Sequence, residues 1–183
     1  MEIPLLIRIV LLGEGLPAKT SLIQRSVETE IDMGLKMTIE VNIHTKNILV
    51  DGQEVKLNIW DLGGPRSIFK RLYSQYIKGA LGGLFLYDVT NRWSIDHIDD
   101  WLSIIRKERN NKYIFPILVV GIITDENKER EVQAEEGMKV AKSLKVNGFI
   151  ECNPKTGENV EEAFETLTRI ILDKTGAKKN KKI

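Results

Sequence analysis

The chain has 183 residues, enough for one domain with a full hydrophobic core. It is 42% hydrophobic and 29% charged with a formal net charge of +1, so it reads as globular, and no global field points to nucleic acid. A single cysteine, Cys152, excludes a disulfide framework and a cysteine-rich metal site, and no apolar stretch is long enough to cross a membrane.

The chain alternates strand and helix. Leu5–Leu12 (LLIRIVLL) is an apolar run that predicts a buried strand, too short for a secretory leader. It stops at Gly13, and Thr20–Glu28 predicts a helix. Ile31–Met37 has no period and reads as a loop. Thr38–Val50 is strand-like, Asp51-Gly52 is a hairpin signal, and Val55–Trp60 is the return strand, ended by Asp61–Gly64. Ser67–Lys78 has helical spacing, with Phe69, Leu72, Tyr73 and Tyr76 on one face. Leu81–Tyr87 predicts a buried strand, and Ser94–Arg109 an amphipathic helix with Ile95, Ile98, Trp101, Leu102 and Ile105 inward. Ile114–Ile123 is a further buried strand, Ala134–Leu144 a helix, Phe149–Cys152 a short strand and Glu158–Leu172 a helix. One domain over residues 1–174 is expected, with a basic, solvated tail at 175–183.

Apolar two-sided strands alternating with helices predict an α/β fold: a mostly parallel six-stranded sheet with one antiparallel strand and helices on both faces. Ligands of such sheets bind outside the C-terminal ends of the strands. Gly13, Asp61 and Asp125 each follow a predicted strand, so they are expected at one edge.

The stretch Leu11–Leu22 (LLGEGLPAKTSL) has the strand, glycine loop, Lys-Thr and helix of a phosphate-binding P-loop. Unpaired N–H groups at the loop and helix start attract an anion. Lys19 adds charge near the outer phosphates, and Thr20 offers a hydroxyl to Mg²⁺. The pattern is incomplete. Ala18 stands where the second glycine is expected, and Pro17 removes one N–H and drives Leu16 extended. An ordinary strand-to-helix turn with a solvated lysine is the alternative for these residues taken alone.

Beyond this loop stand WDLGG from Trp60, YIKGALGGLFLYDVTNRWSIDHIDDW ending at Trp101, TIEVNIHTK from Thr38 and KTGENVEEAF from Lys155. Through the order and spacing of these segments the chain resembles a small GTPase of the Ras superfamily, of the Rab-like branch. The resemblance runs from about Leu5 to Leu172. It implies nucleotide binding by Gly13, Glu14, Gly15, Leu16, Pro17, Ala18, Lys19, Thr20 and Ser21 of the P-loop, with Mg²⁺ and GTP or GDP as ligands. Thr20 and Thr38 match its metal ligands, and Asp61 the aspartate behind the metal's water. Gly64 matches the glycine that meets the γ-phosphate. Asp125 matches the aspartate that reads guanine, and Asn153, Pro154 and Lys155 the last base-binding loop.

The departures from the family pattern point to altered chemistry. Its N-K-x-D motif reads Ile122-Ile123-Thr124-Asp125, so the stapling asparagine and the lysine over the base are gone, with Ile123 left as apolar cover. Pro154 has no N–H for the guanine carbonyl. Ile31 stands where an aromatic residue packs against the base. Each lost hydrogen bond of this kind is worth ~1.5–3 kcal/mol, so two losses weaken guanine binding by roughly 10²–10⁴-fold. Pro65 occupies the place of the water-orienting glutamine, which predicts very slow hydrolysis or none. Arg66 is a secondary candidate for transition-state charge, against the plainer reading of a solvated loop arginine.

The expected function is a Mg²⁺-dependent nucleotide switch with weakened guanine selectivity and slow or absent hydrolysis. The alternative is a pseudo-GTPase, a nucleotide-free interaction module on the same fold. Protein effectors or regulators are expected at Ile31–Thr38 and Gly64–Tyr76. No lipid anchor is expected, the expected location is the cytosol, and at most weak membrane contact is expected through the basic tail.

Overall fold

The computed structural model describes residues 4–13, 17–27, 29–31, 41–62, 75–108, 115–124 and 127–177. Its strands are β1 (Leu5–Leu12), β2 (Thr29–Ile31), β3 (Val41–Val50), β4 (Gln53–Leu62), β5 (Gly82–Asp88), β6 (Ile117–Ile122) and β7 (Gly148–Cys152). They form one seven-stranded sheet in the order β2-β3-β4-β1-β5-β6-β7. β1 is parallel to β4 and β5, β5 to β6, and β6 to β7, while β3 runs antiparallel to both of its neighbours. This is the expected mixed sheet with one antiparallel strand, extended at its edge by the three-residue β2. Ile31 closes that strand instead of opening a loop, because three residues are too few to display a period.

The hairpin between β3 and β4 turns at Asp51 (φ 51°) and Gly52 (φ 82°). Positive φ at both central residues gives the turn the twist of the flanking strands, which is why Asp-Gly announces it.

The helices are α1 (Pro17–Ser26), α2 (Trp93–Asp96), α3 (Ile98–Glu108), α4 (Ala134–Ser143) and α5 (Val160–Thr175), and residues 75–78 form one further helical turn. α1 starts three residues before the predicted Thr20, at a proline. Proline suits the first helical position, where its fixed φ fits and its missing N–H has no partner to lose. The predicted Ser94–Arg109 helix is two helices. At His97 (φ −103°, ψ 10°) the backbone N–H bonds the Ile95 carbonyl, and the ring Nδ1 lies 3.0 Å from the Trp93 carbonyl that a continuous helix would have used.

Period-two alternation divides β1 between two cores. Ile7, Ile9 and Leu11 join Leu22 of α1 and Phe164, Leu167 and Ile171 of α5 on one face of the sheet. Val10 and Leu12 join Trp101, Leu102 and Ile105 of α3 and Ala141 of α4 on the other. Burying each such large side chain is worth about 1.5–3 kcal/mol. Buried Lys46 ties the first face together, donating to the Ser26 carbonyl at 2.9 Å and to Glu161 at 2.8 Å.

Candidate nucleotide-binding site

The parallel strands β1, β4, β5, β6 and β7 all point the same way, so their ends at Leu12, Leu62, Asp88, Ile122 and Cys152 lie along one edge of the sheet. The segments that follow them bring Gly13, Thr124 and Asn153 to that edge. Register places Asp61 beside Leu11, so an aspartate distant in sequence arrives next to the start of the loop. Gly13 adopts φ +123°, and a side chain there would collide with the Leu86 carbonyl of β5. Only glycine fits so close a passage between loop and sheet.

Lys19, in the first turn of α1, is 3% exposed. Its ammonium donates to the Leu62 carbonyl at 2.9 Å and to the Gly13 carbonyl at 3.4 Å, and pairs with Asp61 Oδ1 at 2.6 Å. This is not a solvated lysine. The chain holds a buried cation, fully engaged, at the junction of loop, helix and sheet edge. Thr20 beside it is exposed. A lysine ammonium, a threonine hydroxyl and an aspartate carboxylate are the donors that suit a phosphate chain with Mg²⁺, a hard ion that prefers oxygen. Among the described residues no three His, Cys, Asp or Glu side chains group as a metal cage. Mg²⁺ keeps several waters and takes phosphate oxygens, so the donor set fits it without one.

Further along the edge an open pocket of about 380 Å³ is lined by Ser21, Gln24, Arg25, Ile123, Thr124, Pro154 and Lys155. Its floor is braced from several sides. Thr124 Oγ1 donates to Asp88 Oδ2 at 3.1 Å, and the Ile123 N–H donates to the Cys152 carbonyl at 2.9 Å. Ile122, where the family pattern has asparagine, is fully buried in the α1–α5 core. Ile123 is half-buried against the opposite core and lines the pocket. Asn153 is buried and accepts the N–H groups of Lys155 (2.9 Å) and Thr156 (3.3 Å) on its side-chain oxygen.

Nearby, Arg130 grips Glu151 of β7 through both terminal guanidinium nitrogens, at 2.6 to 3.1 Å. Burial pushes the Glu151 carboxyl above its ordinary range while Arg130 opposes that shift. Burial also pushes the Cys152 thiol up to about 12, with Glu151 adding to the shift, so the thiol is inert.

The structure thus gathers Gly13, Lys19, Thr20 and Asp61 in one group, and Ser21, Ile123, Pro154 and Lys155 around the neighbouring pocket. Pro17 and Ala18 lie in the first turn of α1, and Ala18 is buried in the core. Glu14, Gly15, Leu16, Thr38, Gly64, Pro65, Arg66 and Asp125 lie outside the described residues. Gln24, Arg25 and Thr124 are pocket residues that the sequence reading did not single out. Ser21, Gln24 and Arg25 follow i, i+3, i+4 spacing and share one face of α1, so the signal was present in the helix period.

The family model of the Ras family matches residues 8–173. The chain belongs to the Ras family. Among its relatives, Ras-related protein Rab-8B of Homo sapiens is 33% identical over 175 residues, covering 96% of this chain and 83% of that protein. GTP-binding protein ypt3 of Schizosaccharomyces pombe is 34% identical over 171 residues, 93% of this chain and 78% of that one. GTP-binding protein ypt2 of the same organism is 35% identical over 166 residues, 91% and 81% respectively. The Rab-like resemblance therefore extends over nearly the whole of this small-GTPase chain. No helix among the described residues is long and apolar enough to cross a membrane.

Proposed function

We propose that this Ras-family chain is a Mg²⁺-dependent guanine-nucleotide switch with reduced base selectivity and slow or absent intrinsic hydrolysis. The observation that carries the reading is Lys19: a buried ammonium held by Gly13, Asp61 and Leu62 at the strand ends, beside an exposed threonine. In this reading Lys19 faces the outer phosphates. Thr20 and Thr38 offer hydroxyls to the ion, and Asp61 holds its water shell. Gly13 to Ser21 wrap the phosphates, with Gly64 at the γ-phosphate. Bound Mg²⁺ supplies charge neutralisation along the phosphates. Asp125, Asn153, Pro154 and Lys155 surround the base.

Selectivity is reduced because Ile122 packs into the core and cannot staple loops, and because Pro154 has no N–H to offer. Hydrolysis is slow because Pro65 can neither donate nor accept through its side chain. Ordering of Thr38 and Gly64 by the γ-phosphate creates the partner surface, at Ile31–Thr38 and Gly64–Tyr76. The domain spans residues 1–174, with α5 continuing one residue into the basic segment, and the protein works in the cytosol.

The test is thermal unfolding of protein freed of co-purified nucleotide, with Mg²⁺ and millimolar GTP, GDP or ATP. A ligand that binds only the folded state raises the melting temperature by mass action, even when it binds weakly. The expected result is a rise with GTP and GDP that exceeds the rise with ATP. No rise with any nucleotide rejects the switch in favour of the pseudo-GTPase alternative, which the apolar seal at Ile122 favours.

A further inference from the structure

The loop that follows β7 is closed on itself. The Asn153 N–H donates to the Glu158 carbonyl at 3.0 Å, and the Gly157 N–H to the Asn153 carbonyl at 2.8 Å. Pro154 has no N–H. The N–H groups of Lys155 and Thr156 both end on the Asn153 side-chain oxygen, at 2.9 and 3.3 Å. The Glu158 N–H ends on Thr156 Oγ1 at 3.2 Å. Every backbone position from Asn153 to Glu158 therefore either lacks a donor or has spent it inside the loop. The Arg25 guanidinium donates to the Thr156 carbonyl at 3.4 Å and braces this wall against α1. Lys155 contributes an exposed, solvated ammonium, a poor reader of a single atom.

We infer that Asn153 and Pro154 make this wall of the pocket free of backbone donors, so that position 6 of a bound purine is unread and selectivity rests on the opposite edge of the base. The inference rests on the nucleotide reading above and specifies its ligand class: guanine nucleotides in which the 6-oxo group is replaceable. The physical argument is the asymmetry of buried hydrogen bonds. A wall with a waiting donor rejects a ligand that lacks the acceptor, because the donor is then stranded. A wall whose donors are already paired has nothing to strand.

The experiment compares GTP with 6-thio-GTP at pH 7 with Mg²⁺, by nucleotide-dependent thermal shift and by competition against a fluorescent GDP analogue. Sulfur is a weak acceptor, while the ring N–H and the 2-amino group of guanine are retained. The two nucleotides should bind within about threefold of each other, whereas a donor-bearing wall would prefer GTP by about tenfold or more. A preference for GTP of that size overturns the inference and leaves the switch intact. Failure of both nucleotides to bind overturns the switch and the inference together.

The double variant Asn153→Ala, Pro154→Ala removes the acceptor that holds the Lys155 and Thr156 N–H groups and adds an N–H at position 154. Its preference for GTP over 6-thio-GTP should rise by about tenfold. A merely structural change would weaken both nucleotides alike and leave the ratio unmoved, which would overturn the assignment to these two residues.

Discussion

Replacing Lys19 by alanine tests the structural and functional sides of the site at once. Lys19 and Asp61 form a 2.6 Å ion pair with side chains 4% and 13% exposed. Removing the ammonium strands a carboxylate with little access to water and leaves the Leu62 carbonyl, 2.9 Å away, without this donor. Breaking a buried pair at one end costs about 3–5 kcal/mol, and the residual exposure of Asp61 argues for the lower figure. A chain of this size loses roughly 2–4 °C of melting temperature per kcal/mol, so Lys19→Ala should melt about 6–12 °C lower in the absence of nucleotide. It should also show no stabilisation by Mg²⁺ with GTP or GDP. The double variant Lys19→Ala, Asp61→Asn removes the stranded charge and should regain most of the lost stability, while remaining blind to nucleotide. Differential scanning calorimetry with and without nucleotide reads both effects. A single variant that melts within about 2 °C of the parent would refute the energetic argument. A single variant that keeps its nucleotide response would refute the P-loop assignment.

Other substitutions probe separate links of the argument. Gly13→Ala combines a positive φ with a collision against the Leu86 carbonyl, so it should destabilise by about 2 kcal/mol or more in urea unfolding. Cys152 is held protonated in the fold, from an ordinary 9.0 up to about 12. The unfolded thiol therefore loses its proton first, and the stability it contributes is complete below pH 9 and lost as pH rises towards 12. Urea midpoints measured from pH 8 to 11 should fall, and Cys152→Ala should flatten that fall; an unchanged slope refutes the assignment. Pro65→Gln should raise phosphate release from GTP if that position alone limits hydrolysis, and no change would place a further defect elsewhere in the site.

Much of the fold was legible because strand and helix periods are local. The Leu5–Leu12 run, the Asp51-Gly52 turn and the apolar faces of α3 and α5 all carry their structure in their spacing. The misses have local causes. β2 is too short to show a period, Pro17 opens a helix in place of a loop, and the break at His97 follows from a ring nitrogen taking the place of a backbone donor at the Trp93 carbonyl.

The site was legible in its residues and less so in their partnerships. That Lys19 is buried against Asp61 follows from the parallel register of β1 and β4, which joins segments more than forty positions apart and leaves no local trace. The lost donor at Pro154 could be read directly from the residue. That Asn153 also consumes the next two N–H groups depends on the loop's closure against Glu158, a tertiary fact. Gln24 and Arg25 share a helix face but carry no motif, Thr124 is the unspecified position of its motif, and the pocket is what brings the three together.

The most direct test of the central claim is a calorimetric titration of GDP and GTP, with Mg²⁺, into nucleotide-free protein and into Lys19→Ala. The account predicts saturable binding at about one nucleotide per chain that weakens when Mg²⁺ is chelated and disappears in the variant. Absence of saturable binding by the parent protein at millimolar nucleotide, or equal binding by the variant, would contradict it.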